Sequence, residues 1–254
     1  MARFGGNTSC VVVQREGEAP IICDSGTGLR FYGLDLGDEA FDGTILISHL
    51  HWDHVQGLPF FPPILNADSN ALILGPPEKD MSFEEALSGF VRPPYFPIEL
   101  SSLPGDTRFA NLWNDTIEIG TARVSARSVP HTGITNGYRI EWDDFSMAYI
   151  PDHQQPVDAT TVDPEVLELV DGVDLLIHDS QFTPALLNKR SDWGHCTPRY
   201  AATVADAGSA KCLAMFHHDP LHGDDVIDEL LTEAQSWDTS CKVIAAAEGV
   251  KLSF

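Results

Sequence analysis

The chain reads as a mixed fold of strands and helices, for three reasons. Short apolar runs recur from residue 8 to residue 247, and amphipathic helical stretches fall between them. Residues able to do chemistry stand just past the ends of the strands. Residues 8–13 and 20–24 are expected as paired strands around the polar turn 14–18. Asp24-Ser25-Gly26-Thr27-Gly28 follows as a tight structural turn, with neither the lysine nor the Gly-x-Gly-x-x-Gly spacing of a phosphate loop. Residues 44–48 form the next strand. From Pro59 to Pro104 repeated prolines break the pattern. Within that stretch a helix is expected over 82–90, where Ser82 and Glu85 make a capping box. The piece 91–97 reads as a pocket wall or lid, or equally as a core-packing insertion. Strands are expected at 116–119, 122–129, 137–142, 145–150, 173–177, 212–216 and 243–247. Helices are expected at 164–170, from Thr197-Pro198 to Gly208, and at 224–237, whose Val226, Ile227, Leu230, Leu231 and Ala234 share a face.

Composition limits the function classes. With 254 residues, 43% of them hydrophobic, one domain spanning 1–254 is expected, with 59–104 as a Pro-rich insertion. No apolar run approaches the ~20 residues of a membrane span, and the first residues lack the apolar core of a signal peptide. Five cysteines, an odd number without a Cys-x-x-Cys pair, argue for a reducing, cytoplasmic setting and against a thiolate zinc site. A formal charge of -23 repels polyanions, so extensive nucleic-acid binding is not expected. A small anionic substrate at a locally positive metal centre is compatible with that charge. A homodimer is left open.

The chemistry concentrates in Ser48-His49-Leu50-His51-Trp52-Asp53-His54. Alternate residues of an extended segment point the same way, so His49 and His51 can converge on one ion. Asp53 and His54 come where the chain turns and can face a second ion. Imidazole and carboxylate suit zinc, the default here, with manganese or iron open. None of the ten histidines precedes residue 49, and His131, Asp152, His178 and His217 each follow a strand of their own. Rigid sheets fix the loop ends that carry ligands, which is why function gathers there. His153, His218 and His222 read as bystanders, and Asp219 and Asp225 as groups that position helices or histidines.

This order of His-x-His-x-Asp-His, a later His, a later Asp and a final His resembles the metallo-β-lactamase-fold hydrolases over essentially the whole chain. The resemblance implies a four-layer αββα sandwich. It also implies that His49, His51 and His131 bind one ion, that Asp53, His54 and His217 bind the other, and that Asp152 bridges them. Asp at 152, with no Cys there, looks like the two-metal phosphodiesterase branch. His at 51, where oxygen-reducing members place Glu, argues against a redox role. Leu175–Ser180 is similar to the His-Glu-Ala-Thr motif of the ribonuclease Z-like subgroup, and Gly194-His195-Cys196-Thr197 to its Gly-His-Ser-Thr. His178 and His195 would then be supporting or acid groups, and Cys196 a neutral replacement for Ser. The basic, glycine-rich arm with which ribonuclease Z grips tRNA is not recognisable.

The expected activity is hydrolysis of a phosphodiester in a small, cyclic-nucleotide-like substrate by a metal-bridged hydroxide. Asp53 would orient the attacking group, and His178 or His195 would protonate the leaving alkoxide. The alternative is a carboxyl ester, thioester or lactone on the same centre. A tRNA 3′-processing endonuclease and a non-catalytic metal-binding protein rank below both.

Overall fold

The computed structural model describes residues 2–254. The chain divides into two compact units: Asn7–Trp113, and Asn114–Phe254 with the N-terminal residues through Gly6.

The Asn7–Trp113 unit is built on a five-stranded sheet. β1 (Val11–Val13) and β2 (Ile21–Cys23) form the expected antiparallel pair, with Val11 opposite Cys23. β3 (Asp42–Leu46), β4 (Asn70–Gly75) and β5 (Asp106–Asn111) then add parallel to β2 in sequence order. Gly43 to Leu46 and Leu72 to Gly75 are near-continuous apolar runs, as parallel strands covered on both faces require. Helices α1 (Leu29–Leu36), α2 (Trp52–Val55) and α3 (Phe83–Phe90) connect the strands. The core gathers Ile22, Ile45, Ile73, Phe41, Phe61, Phe83 and Leu87. α3 starts as its sequence predicts: Ser82 Oγ accepts from the Glu85 amide, and the Glu85 carboxylate accepts from the Ser82 amide. Residues 59–104, expected as an insertion, carry β4 and α3, so this stretch supplies an internal strand of the sheet. α1, β4 and β5 are additions to the sequence reading.

The second unit holds a seven-stranded sheet. β6 (Thr116–Ile119), β7 (Ala122–Ser128), β8 (Asn136–Glu141) and β9 (Ser146–Ile150) run as an antiparallel meander. α4 (Pro164–Val170) leads to β10 (Leu175–Asp179). The short α5 (Pro184–Leu187) and α6 (Pro198–Ala207) lead to β11 (Cys212–Phe216). α7 (Asp224–Gln235) leads to β12 (Lys242–Ala245). β9 to β12 are mutually parallel, which is why each step needs a helical crossover. Val166, Leu169, Val170, Tyr200, Ala201 and Val204 of α4 and α6 pack on Leu176 and Leu213 of the sheet. Two antiparallel reversals return β7 to the direction of β9, β10 and β11. The residues after β7, β9, β10 and β11 therefore leave the sheet at one edge, the carboxyl edge where open sheets bind ligands.

Candidate metal site

In the Asn7–Trp113 unit the chain leaves β3, stays extended through His51 and turns into α2. His49 and His54 are buried, Asp53 is partly exposed and His51 is exposed. His49 Nε2 lies 2.8 Å from His51 Nδ1, so alternate residues do bring the two rings together. His54 Nε2 lies 3.5 Å from Asp53 Oδ2. One buried carboxylate fixes this motif. Asp24 Oδ1 accepts from the Ser48 amide at 2.7 Å, and Oδ2 accepts from Ser48 Oγ at 2.9 Å and from His54 Nδ1 at 2.7 Å. With Nδ1–H committed to Asp24, Nε2 is the nitrogen of His54 that presents a lone pair. Asp24 reaches all three through a left-handed backbone, φ 60°, which short polar residues tolerate. Close backbone contact locks the same turn: Gly57 N–H donates to Ser25 O, and a Cβ at Gly57 would strike Gly26 O. Glycine is required there by approach, not by φ.

In the second unit His131, Asp152 and His217 follow β7, β9 and β11 as expected, whereas His178, expected just past a strand, is paired inside β10 because that strand runs on to Asp179. Asp152 is buried between two imidazoles, with Oδ2 3.5 Å from His131 Nε2 and Oδ1 3.4 Å from His217 Nε2. His131 Nδ1–H donates to Gly194 O at 2.7 Å, which turns its Nε2 towards Asp152. Gly194 has φ +93°, and a Cβ there would occupy the His131 ring, so Gly is fixed twice over. His217 also has a left-handed backbone, φ 54°, and its ring stacks on His195 at 5.2 Å. Asp152, His195 and His217 each offer a ligand atom within 4.8 Å of the others, so His195 belongs to this group as well.

The supporting contacts sort the two candidate acids. His195 Nδ1–H donates to Asp179 Oδ2 at 2.9 Å, and its side chain keeps 12% exposure. His178 is wholly buried: Nε2 faces His153 Nδ1 at 3.0 Å, and Nδ1–H donates to the Asp179 carbonyl at 2.8 Å. Burial lowers the His178 pKa from its usual value and lowers that of His153 further, the second helped by the neighbouring His178. Cys196 is buried, hydrogen-bonds to the Asp179 carbonyl, and has its thiol pKa pushed well up by burial. That is the state of an unreactive thiol. His218 binds the Ala246 carbonyl, and Asp219 accepts from Arg190 and from the Leu221 amide.

Asp24 belongs to the turn expected at 24–28, yet it follows β2 as the metal-site groups follow their strands, so the same rule points to it. Gln154 and Gln155 carried no such signal. Gln154 Oε1 accepts from the Gly194 amide, and Gln155 Oε1 accepts from Thr197 Oγ1, which ties the Asp152 loop to the His195 loop. Within each unit the donor set of imidazole nitrogen and carboxylate oxygen fits a divalent cation.

The family model of the beta-lactamase superfamily domain matches residues 39–218, and the chain belongs to that superfamily. It is a metal-dependent hydrolase. Ribonuclease Z of Halorubrum lacusprofundi is 23% identical over 92% of this chain and 87% of its own. Among solved structures, the metallo-beta-lactamase fold protein YhfI from Bacillus subtilis superposes with a TM-score of 0.73, at 19% identity, over 96% of this chain and 90% of its own. A diphosphatase of the PhnP family superposes with a TM-score of 0.70, at 19% identity, over 97% and 84%. The α+β metallo-β-lactamase fold expected from the sequence is the fold of this chain.

Proposed function

We propose that the chain acts as one hydrolase domain that cleaves a phosphodiester bond in a small anionic substrate, with seven residues holding two divalent ions, zinc by default. These are His49, His51, Asp53, His54, His131, Asp152 and His217. The observation that carries the two-ion reading is Asp152, whose two oxygens each face the Nε2 of a different histidine. A carboxylate flanked in this way is suited to serve two cations. When bound, the ions supply Lewis acidity, neutralising charge on the phosphoryl oxygens and acidifying a nearby water.

The chain's own residues do the rest. Asp24 and Gly194 O hold the Nδ1–H of His54 and His131, so that both rings present Nε2. Asp53, partly exposed in the first turn of α2, can accept a proton from water and orient it. Between the two candidate acids, the contacts favour His195. Asp179 orients it, and it retains exposure. His178 serves better as the buried partner that positions His153 and the Asp179 backbone.

Phosphodiester chemistry is supported by Asp at position 152 and by relatives named Ribonuclease Z. Hydrolysis of bis-p-nitrophenyl phosphate that chelator abolishes is the expected result. Turnover of p-nitrophenyl acetate alone would transfer the activity to esters. His195→Gln is expected to lower diester turnover by about 10²- to 10⁴-fold with metal content retained. A second reading, tRNA 3′ processing, is favoured by curated relatives of comparable length named Ribonuclease Z. Charge weighs against it, at -23. Cleavage of a precursor tRNA at physiological salt would reverse the order of the two readings. A cytoplasmic setting goes with either, and no helix among the described residues is long and apolar enough to cross a membrane.

A further inference from the structure

An aromatic strip lies beside the metal motif within the Asn7–Trp113 unit. Trp52 stands in sequence between His51 and Asp53 and opens α2, yet it is 73% exposed. α2 turns His54 and Val55 inward, which leaves Trp52 on the outer side. Phe60 and Tyr95 are exposed as well, at 61% and 74%. Two ring pairs join the same two segments, 52–60 and 90–96. Trp52 meets Phe90 at 6.5 Å between centroids, and Phe60 meets Phe96 edge-on at 6.0 Å. Phe90 and Phe96 are half-buried against the core, and Arg92 O accepts from the Tyr95 and Phe96 amides. The strip therefore has an anchored base and an open face.

Folding does not account for an indole left so far in water on a half-buried aromatic base, and exposed apolar surface of this kind marks a binding surface. We propose that Trp52, braced by Phe90, is the shelf on which the planar ring of the substrate stacks, a nucleobase or a ring of similar size. The substrate's phosphate then lies at the ligands that flank Trp52. This inference rests on the phosphodiesterase reading above and names the substrate class for it. Two features select that occupant. The immediate chain neighbours of Trp52 are the candidate ligands His51, which is exposed, and Asp53, which is partly exposed, so both are open to an anion carried on a ring seated at Trp52. The chain's charge of -23 disfavours long polyanions and anionic membranes, but not a single phosphate carried on an apolar body. Indole is a strong stacking surface, and every base has a face to offer it.

The test uses the full chain loaded with zinc and two diesters that release the same p-nitrophenol, thymidine 5′-p-nitrophenyl phosphate and methyl p-nitrophenyl phosphate. In Trp52→Ala the ratio of kcat/KM between the first and the second is expected to fall by roughly 5- to 150-fold, mainly through KM. Trp52→Phe should restore most of it. Independently of turnover, thymidine 5′-monophosphate should quench the intrinsic tryptophan fluorescence of the native chain and do so much less in Trp52→Phe. Equal losses on both diesters, or loss of bound metal from Trp52→Ala, would overturn the shelf. An unchanged ratio with a shift from dimer to monomer would also overturn it and assign the strip to a second copy of the chain. If the native protein hydrolyses neither diester, the phosphodiesterase reading fails. The nucleotide quenching then decides the shelf by itself.

Discussion

Asp24 shows how one buried carboxylate sets the donor geometry of a histidine. Its contacts to Ser48 and His54 are all under 3 Å, and none of the three residues is exposed to solvent. A charged acceptor on Nδ1 makes Nε2 more basic, and loss of such partners typically weakens metal affinity 10- to 100-fold. Asp24→Asn is expected to lower affinity by about that factor with the fold intact, read by competition with a chromogenic chelator. His178 makes a prediction of another kind. Its folded pKa is depressed, so its neutral burial contributes fully above the ordinary histidine value of 6.5. Below that value the unfolded chain takes up the proton first, and stability falls as pH drops towards the folded pKa. Replacing His178 by Gln should flatten the part of the stability–pH curve below about pH 6.5, measured by denaturant unfolding of metal-free protein.

At the scale of elements, the sequence is legible where a local rule decides the outcome. Ser82 and Glu85 specify the start of α3, and Thr197-Pro198 specify that of α6, where Thr197 Oγ1 accepts from the Tyr200 amide. Thr197→Ala should cost about 1 kcal/mol, hence roughly 2–4 °C in Tm, detectable by calorimetry. The buried strands are legible as the apolar runs 173–177 and 212–216; the second ends just before His217, and the first is shifted in the fold to Leu175–Asp179, which takes His178 into the strand. What the pattern hides is tertiary. β4 is an apolar run, Ala71 to Leu74, lying among prolines that point to irregular chain. β5 alternates exposed and half-buried residues at a sheet edge, and its pairing with β4 defines it more than its own composition does. α1 carries Gly33 where a side chain would strike Phe61 and Pro62, so packing overrides weak helix propensity there. The exchange of partners around Asp179 depends on how two loops meet, and no spacing in the sequence encodes that. Its carboxylate goes to His195 and its carbonyl to His178.

For the whole molecule, charge is the dominant property. Thirty-eight acidic residues against fifteen basic ones leave a strong self-repulsion in any compact state. Salt screens it over a Debye length of about 10 Å at 0.1 M. The Tm should therefore rise as potassium chloride goes from 0.05 to about 1 M, and a flat or falling Tm would show that local pairs outweigh the global charge. The same charge raises the local concentration of divalent cations near the surface and so favours loading over discrimination among metals.

The hydrogen bonds from His54 to Asp24 and from His131 to Gly194 O have a kinetic consequence. Both are made by the protein to itself, so the rings are ordered whether or not an ion has arrived. The entropy of arranging them is spent during folding, and capture of a cation needs little further ordering. Chelator-stripped protein should thus keep its native circular dichroism and regain activity on adding metal faster than a refolding control, which makes stripping and reloading a practical route to exchanging one divalent ion for another.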